Sequence, residues 1–292
     1  MQRITSIDEQ RAWSRDRRAA GERIAVVPTM GALHEGHLSL IRLAREQADR
    51  VVVTIFLNPT QFDDPGDLDQ YPTSLEDDLI ACDQLDVDVV FTPERSAMYP
   101  SGYATFAEVV GPVNEVMCAV TRPGHFRGVT TVVLKLFHIV EPDCAVFGEK
   151  DLQQVLIIGR MIADLDLPIE LVVGPTVREP DGLAMSSRNR RLGPEDRAAA
   201  SAMPQGLVKA SRAFADGERE PMELVNLVAE ELLMHPGVDV DYAELIDPAT
   251  FKPVGEQAQP GHVLAVAAFV GGVRLIDHIA LGLQTIPGPA TD

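Results

Sequence analysis

The sequence predicts an α/β protein with a parallel sheet, followed by a smaller α+β domain. Apolar runs rich in β-branched residues alternate with helical patterns of about 10–15 residues, which is typical of parallel strands joined by crossover helices. The run VVVTIFL (51–57) is continuously apolar, as expected for a strand covered on both faces. Beyond 178 the composition shifts to alanine-rich helices and short strands. We therefore predict domains at 1–177 and 178–292.

The elements are predicted in chain order. A polar pattern over 6–20 predicts a helix that ends at Gly21. In the first domain the remaining predicted elements are strand 24–28, a helix from about Gly36 to Ala48, strand 51–57, helix 74–85, strand 86–93, helix 129–140, strand 144–148, helix 152–165 and strand 169–175. In the second domain they are helices 194–217 and 220–234, then strands 240–246, 262–269 and 273–279.

Composition limits the classes of function. Hydrophobic content of 46% and charged content of 24% are those of a soluble globular protein. The formal net charge of −19 argues against a nucleic-acid-binding protein and against a protein of anionic membranes. An anionic substrate would therefore need a locally basic site.

Cysteine usage and hydropathy indicate a reducing compartment. Cys82, Cys118 and Cys144 are odd in number and form no C-x-x-C, so neither a disulfide framework nor a zinc site is predicted. No apolar run approaches the length of a membrane span, and the first residues lack the core of a signal peptide. A cytoplasmic location is the default expectation.

Two histidines mark the most informative stretch, IAVVPTMGALHEGHL (24–38). Gly31 and Gly36 reproduce the glycine spacing of a P-loop, but His37 and Leu38 follow where a P-loop has Lys and Ser or Thr. His34 and His37 fall near the start of an amphipathic helix, whose unpaired N–H groups and dipole favour anions. The pattern predicts phosphate chemistry; the alternative is a helix cap with two solvated histidines.

Polar segments follow three of the predicted strands. PTMG (28–31), NPTQF (58–62) and GEKD (148–151) each come where an apolar run ends. In parallel sheets, ligands bind outside the carboxyl ends of the strands. The three segments are therefore expected to meet at one edge of the sheet and to form a site there.

Taken together, the motifs resemble one family. PTMGALHEGH (28–37), NPTQF, MYP (98–100), GHFRGV (124–129), FGEKDLQQ (147–154) and REPDGLAMSSRN (178–189) are similar to the motifs of pantoate–β-alanine ligases, members of the H-x-G-H nucleotidyltransferase superfamily. The resemblance implies a Rossmann-like nucleotidyltransferase domain, a C-terminal lid domain and a homodimer. It also implies condensation of pantoate with β-alanine through pantoyl adenylate, using ATP and Mg²⁺ and releasing AMP and diphosphate.

The resemblance also implies roles for individual residues. An ATP site would be formed by Met30, Gly31, Ala32, Leu33, His34, Glu35, Gly36, His37, Gly148, Glu149, Lys150, Asp151, Val177, Met185, Ser186, Ser187 and Arg188. Within this set the catalytic residues would be His34, His37, Lys150, Ser186, Ser187 and Arg188. Substrate would contact Met30, Asn58, Gln61, His125 and Gln154. Asp77 and Asp78 match a metal-binding pair, although Ala81 stands where related sequences often have Gln.

The residue chemistry agrees with several of these roles. A side-chain amide both donates and accepts, so Gln61 and Gln154 suit the hydroxyl groups of pantoate. Simpler interpretations remain for four residues: Asp77 and Asp78 as a solvated helix face, Asn58 as a turn residue and His125 as a helix cap. Pro180 and Gly182 predict a mobile loop over 180–190.

Other functions stay open at this stage. A nucleotidyltransferase that stops at nucleotide transfer is the main alternative, although it would need a different acceptor pocket from the one that the two glutamines suggest. A dinucleotide oxidoreductase is disfavoured because no G-x-G-x-x-G follows a strand. A non-catalytic nucleotide-binding protein would be expected to have lost His34, His37, Lys150 or the Ser186–Arg188 segment.

Overall fold

The computed structural model describes residues 1–286, which form two compact units. Unit 1 contains Met1–Val109, Pro123–Glu149 and Gln154–Pro175. Unit 2 contains Val110–Arg122, Lys150–Gln153 and the chain from Thr176 onward. The two short segments that group with unit 2 were not anticipated from the sequence. The functional division at residue 177 stays a prediction.

The strands and helices have the following bounds. The strands are β1 (Gln2–Ile4), β2 (Ile24–Thr29), β3 (Arg50–Ile55), β4 (Val89–Phe91), β5 (Cys144–Gly148), β6 (Glu170–Gly174), β7 (Val238–Asp247), β8 (Lys252–Pro253), β9 (Val263–Val270) and β10 (Val273–Ala280). The helices are α1 (Ile7–Ala19), α2 (Glu35–Gln47), α3 (Pro65–Asp69), α4 (Leu75–Gln84), α5 (Arg95–Met98), α6 (Cys118–Thr121), α7 (His125–Val140), α8 (Leu152–Asp164), α9 (Pro194–Ala200), α10 (Ala202–Ala215) and α11 (Pro221–Leu233). Within residues 1–286, no helix combines the length and the apolar character that crossing a membrane requires.

Unit 1 is built on a parallel sheet, as predicted, but the sheet has six strands rather than the five that the sequence indicated. The strand order is β1-β4-β3-β2-β5-β6, and every pairing is parallel. The chain runs from β2 toward β3 and β4 on one side, whereas β5 and β6 lie on the other side. The order therefore reverses between β2 and β5, and in such sheets this switch point is where ligands bind.

The core of unit 1 explains the continuous apolar runs. The first four residues of β2 and the run Val51–Val53 of β3 are fully buried, because helices cover both faces of the sheet. Leu40 and Ile41 of α2 pack into this core. Gly174 permits the approach of α2, since a Cβ at this position would lie 2.3 Å from Leu40 Cδ2.

Unit 2 contains the smaller antiparallel sheet that the sequence predicts. Its order is β10-β9-β7-β8, with a bulge between Val240 and Tyr242. Helices α10 and α11 bury Leu207, Leu224 and Val228 against Leu264 and other side chains of β9 and β10. The α/β and α+β assignments are thus confirmed.

Several local predictions were wrong, among them the following three. Strand β1 was missed because it is only three residues long and buries Ile4 alone. Helix α7 begins at His125 rather than at 129. The predicted helix 194–217 is two helices that meet at Ser201, since Pro204 has no N–H with which to continue a helix from the preceding turn.

Candidate active site

A buried carboxylate shapes the loop between β2 and α2. Asp78 is 2% exposed, and its two carboxylate oxygens accept hydrogen bonds from the backbone N–H groups of Ala32 (2.9 Å) and Leu33 (2.7 Å). Gly31 and Ala32 have positive φ angles of 87° and 51°. A Cβ at Gly31 would lie 3.0 Å from the Asp78 carboxylate, so only glycine fits this left-handed turn without strain. Asp78 on α4 therefore holds the PTMGAL loop in place.

The two histidines of H-x-G-H form a reciprocal cap at the start of α2. His34 Nδ1 accepts a hydrogen bond from the Gly36 N–H at 3.2 Å, and His37 Nδ1 accepts one from the His34 N–H at 3.4 Å. Their ring centroids are 4.1 Å apart. A nitrogen that accepts from a backbone N–H carries no proton, so a neutral imidazole here has its proton on Nε2. Both rings consequently present an Nε2–H donor.

This cap changes the expected chemistry of the helix N-terminus. The Gly36 N–H is bonded to His34 Nδ1, and the N–H groups of His37 and Leu38 are bonded to the His34 carbonyl. Several of the backbone donors that the sequence argument assigned to an anion are therefore already used. The predicted cap is present, and it leaves the imidazole Nε2–H groups, rather than these backbone N–H groups, as the donors that the anion-site prediction needs.

Asn58 occupies a different position from the one expected of a substrate ligand. It is 1% exposed, and its Nδ2 donates to Gln61 Oε1 (2.9 Å) and to the Gly128 carbonyl (3.2 Å). Its Oδ1 accepts from the hydroxyls of Thr60 (2.9 Å) and Tyr99 (2.8 Å). Direct contact with a substrate is not supported, because the amide is buried and bonded on both sides. Asn58 instead orients Gln61.

A cavity of about 200 Å³ lies beside Gln61 and His125. It is lined by Thr60, Gln61, Phe62, Asp63, Phe106, Pro123, Gly124, His125, Arg127 and Gly128. His125 Nδ1 lies 2.7 Å from the Gln61 carbonyl, and the Arg127 guanidinium stacks 4.0 Å from the centre of the Phe106 ring. Gly128 lets α7 touch the Pro59–Gln61 turn, since a Cβ there would lie 2.3 Å from the Thr60 carbonyl. The cavity is large enough for a small polar molecule.

The predicted metal pair does not fit a metal. Asp77 is exposed on α4, whereas the carboxylate of Asp78 is buried and bonded to two backbone N–H groups. Adjacent helical residues point about 100° apart, so the two carboxylates do not face one ion. Among residues 1–286, no three His, Cys, Asp or Glu side chains form a group that could hold a metal. Asp78 is better described as a loop support.

Lys150 and Asp151 lie in the short turn that follows β5. The turn spans Glu149–Asp151 and leads directly into α8. Lys150 Nζ is 3.4 Å from Asp151 Oδ1, and the lysine side chain is 20% exposed. Gln154 is half-buried in the first turn of α8. The preceding residue, Gln153, is buried and donates to the carbonyls of Val113 and Val116, which makes it a structural residue of unit 2.

The segment 177–191 is a hydrogen-bonded hairpin that ends in a short 3-10 helix. Met185 N–H donates to the Val177 carbonyl, and Ser186 Oγ caps the helix by accepting from the Arg188 N–H. Ser187 is buried, whereas Val177, Met185 and Arg188 are half-buried. Arg178 forms a two-bond ion pair with buried Asp277, at 2.6 and 2.9 Å. These hydrogen bonds and this ion pair hold the segment in place, so the structure gives little support to the mobile loop that the sequence predicted over 180–190.

Sequence reasoning missed the supporting residues. Thr29 accepts from the Gly31 N–H and donates to the Thr54 carbonyl, Tyr99 bonds Asn58, and Arg178 anchors the hairpin. All three lie inside motifs that the sequence singled out. Each of the three, however, also bonds a group 25 to 99 residues away in the sequence, and no local pattern reveals these distant partners.

The sheet order and the paired imidazoles place the chain among α/β proteins that bind ligands at the switch point of a parallel sheet. Comparison with known proteins identifies the particular family. The family model for pantoate-beta-alanine ligase matches residues 2–280, and the chain belongs to this family.

The similarity extends over nearly the whole chain. The pantothenate synthetase of Geobacter sulfurreducens is 48% identical over 282 residues, covering 97% of this chain and 99% of that protein. The crystal structure of pantothenate synthetase from Thermus thermophilus superposes with a TM-score of 0.90 at 39% identity, covering 96% of this chain and 99% of that one. A Francisella tularensis pantoate-beta-alanine ligase, solved with beta-gamma ATP and beta-alanine, has a TM-score of 0.78 at 33% identity and covers 97% and 99%.

Proposed function

We propose that this chain is an ATP-dependent ligase that condenses pantoate with β-alanine to give pantothenate, AMP and diphosphate through a pantoyl-adenylate intermediate. The family match over residues 2–280 supports this reaction. The observation that carries it is the pair of imidazoles at the start of α2, which present Nε2–H donors at the switch point of the sheet. A nucleotidyltransferase that stops at nucleotide transfer is not favoured by the family match.

The first half-reaction needs stabilisation of charge rather than a protein nucleophile. The carboxylate of pantoate attacks the α-phosphorus of ATP, and negative charge develops on the phosphoryl oxygens and on the leaving diphosphate. We assign the Nε2–H groups of His34 and His37 to these oxygens, because fixed donors that meet developing charge lower the barrier. Lys150 adds a compact positive charge that can follow a phosphate oxygen. Mg²⁺ would enter as the MgATP substrate, since Asp77 and Asp78 do not fit a metal site.

The second half-reaction joins the acyl group to an amine. The neutral amine of β-alanine attacks the acyl carbon of the adenylate, the bond to the AMP oxygen breaks, and the amine loses a proton. We assign pantoate to Gln61 and Gln154, and β-alanine to the cavity that Gln61 and His125 border. A volume of about 200 Å³ accommodates an amino acid of this size.

The remaining assignments complete the proposal. Met30–His37, Gly148–Asp151, Val177 and Met185–Arg188 would contact the nucleotide. Residues 1–177 would form the catalytic domain and residues 178–292 a lid. The chain would act in the cytoplasm, and its active form would be a homodimer. Equilibrium sedimentation of the purified chain would test the homodimer.

The reaction order is tested by isotope exchange. With ATP, Mg²⁺ and pantoate but no β-alanine, the chain should exchange labelled diphosphate into ATP. Adding β-alanine should then yield an amide and AMP. Formation of ADP and phosphate would contradict the adenylate, and stable transfer of the nucleotide without amide formation would favour the alternative enzyme. Lys252→Ala, which changes an exposed lysine on β8, is a control that should exchange normally.

A further inference from the structure

The direction of the Asn58 amide is fixed by backbone groups on either side. Nδ2 lies 3.2 Å from the Gly128 carbonyl, which can only accept a hydrogen bond. Oδ1 lies 3.4 Å from the Thr60 N–H, which can only donate. If the amide were rotated by half a turn, Oδ1 would face the Gly128 carbonyl oxygen and Nδ2 would face the Thr60 N–H, so neither contact would be a hydrogen bond. One orientation of the Asn58 side chain is therefore selected.

The orientation of Asn58 in turn selects that of Gln61. Asn58 Nδ2 donates at 2.9 Å to the Gln61 side-chain amide, so the atom of Gln61 that faces Asn58 has to be the oxygen Oε1. The Nε2 donor end of the Gln61 amide consequently points away from Asn58. Gln61 therefore offers donors at that end, rather than the mixed donor and acceptor that its residue type allows. Donors suit the carboxylate and hydroxyl oxygens of a hydroxy acid.

Tyr99 secures the far side of this arrangement. Its hydroxyl donates to Asn58 Oδ1 at 2.8 Å, the shortest of the bonds to that oxygen. The Tyr99 ring packs against the rings of Phe56 and Tyr103, and the Lys135 ammonium lies over both tyrosine rings. Burial raises the pKa of Tyr99 above its ordinary value, which keeps the hydroxyl protonated as a donor.

We infer that Tyr99 is a positioning residue, which fixes the Gln61 amide through Asn58 and thereby tunes the affinity for the hydroxy-acid substrate. The inference rests on the proposed function, in which Gln61 contacts pantoate. Tyr99 itself does not touch the substrate in this scheme. Tyr99 acts through two successive hydrogen bonds: its hydroxyl fixes the orientation of the Asn58 amide, and the Asn58 amide fixes the orientation of the Gln61 amide. We call this chain of three side chains the relay.

The test compares two hydroxyl deletions in the same segment. Tyr99→Phe removes the donor to Asn58 and leaves the ring in place, whereas Tyr103→Phe removes a hydroxyl from the neighbouring ring. In pantoate-dependent ATP–diphosphate exchange, Tyr99→Phe should raise the KM for pantoate by about threefold to tenfold, the size of one hydrogen bond. The kcat and the KM for ATP should stay within about twofold of the wild-type values. Tyr103→Phe should match the wild type in all three constants.

A double-mutant cycle tests the relay itself. If Tyr99 acts through Gln61, adding Tyr99→Phe to Gln61→Ala should cause no further loss in kcat/KM for pantoate. The inference would be overturned if Tyr99→Phe lowered kcat/KM for pantoate equally in the wild type and in Gln61→Ala. It would also be overturned if Tyr99→Phe alone had the wild-type KM for pantoate. A wild-type chain without pantoate-dependent exchange would instead refute the proposed function, and the inference would fall with it.

Discussion

The two edges of the parallel sheet in unit 1 organise their polar side chains differently. At the amino edge, charged residues next to the strands pair with one another. Asp88, just before β4, bonds both Arg45 and Arg50 at 2.8 Å, and Arg50 also bonds Glu22. At the carboxyl edge, His34 and Asn58 bond backbone groups and neutral side chains instead.

The difference separates stability from binding. Ion pairs at the amino edge largely cancel each other's charge, so they contribute to folding but present little net field to a ligand. At the carboxyl edge, the hydrogen bonds of His34 and Asn58 join neutral groups, so they fix the directions of donors without placing an ion pair beside them. In a chain with a net charge of −19, such oriented donors give an anion a favourable local environment.

The largest expected effect comes from the carboxylate that supports the carboxyl edge. Asp78→Ala leaves the buried N–H groups of Ala32 and Leu33 without their acceptor, so we expect a loss of about 2–4 kcal/mol in the free energy of unfolding. Urea titration measures this change. Asp77→Ala is the matched control and should stay within about 0.5 kcal/mol, because Asp77 is exposed. Equal losses in both variants, or altered dependence on Mg²⁺ in Asp77→Ala, would restore the metal pair.

The next prediction concerns the imidazole donors. His34→Ala and His37→Ala should each lower kcat by about 10²-fold, with little change in the KM for pantoate, because their bonds are expected to strengthen in the transition state. Steady-state kinetics measure both constants. His138→Ala, an exposed histidine on α7, should leave both unchanged. A near-normal kcat in the first two variants would reduce His34 and His37 to a helix cap.

At the amino edge, the expected effect is on acid stability and not on catalysis. Burial alone would raise the pKa of Asp88, but hydrogen bonds from the Val51 N–H, Arg50 and Arg45 together hold it below its ordinary value. This stabilisation is present above the pKa of an unfolded aspartate, about 4, and is lost as the pH falls through the lower folded value.

Asp88→Asn should therefore lower the free energy of unfolding by about 1.5–3 kcal/mol at pH 7, the range for hydrogen bonds to charged groups, and flatten its dependence on pH below about 4. The kcat at pH 7 should not change. Urea titrations between pH 7 and the acid transition check both statements, with exposed Asp83→Asn as control. If the free energy of unfolding of Asp88→Asn still fell below about pH 4 as steeply as that of the wild type, other carboxylates would be responsible for the acid dependence.

The smallest effect is expected from an exposed pair at the same edge. Arg23 and Glu170 lie 3.4 Å apart, but their side chains are 53% and 61% exposed. Arg23→Ala should cost no more than about 0.5 kcal/mol, and 1 M salt should remove most of that. If Arg23→Ala lowered the free energy of unfolding as much as Asp88→Asn, the burial of the two partners would not determine how much an ion pair at this edge stabilises the fold.

The sequence by itself determined the fold class and the reaction family. Continuous apolar runs identified the strands β2, β3 and β5, because a strand covered on both faces has no polar side to alternate with. The motif 28–37 located the capped start of α2, since the residues that form this cap are neighbours in the chain. The sequence pattern did not predict β1, because a strand of three residues is too short to show a recognisable apolar run or alternation.

The tertiary structure alone decided what several of these residues do. Asp78 reads as part of an acidic helix face, yet it supports a loop 46 residues earlier. Asn58 reads as a turn residue or a ligand, yet a carbonyl 70 residues later helps to fix its amide. Such roles follow from which buried polar groups packing brings together, since each needs a partner of the complementary kind. Sequence periodicity records burial, but it does not record which distant donor or acceptor satisfies a buried group.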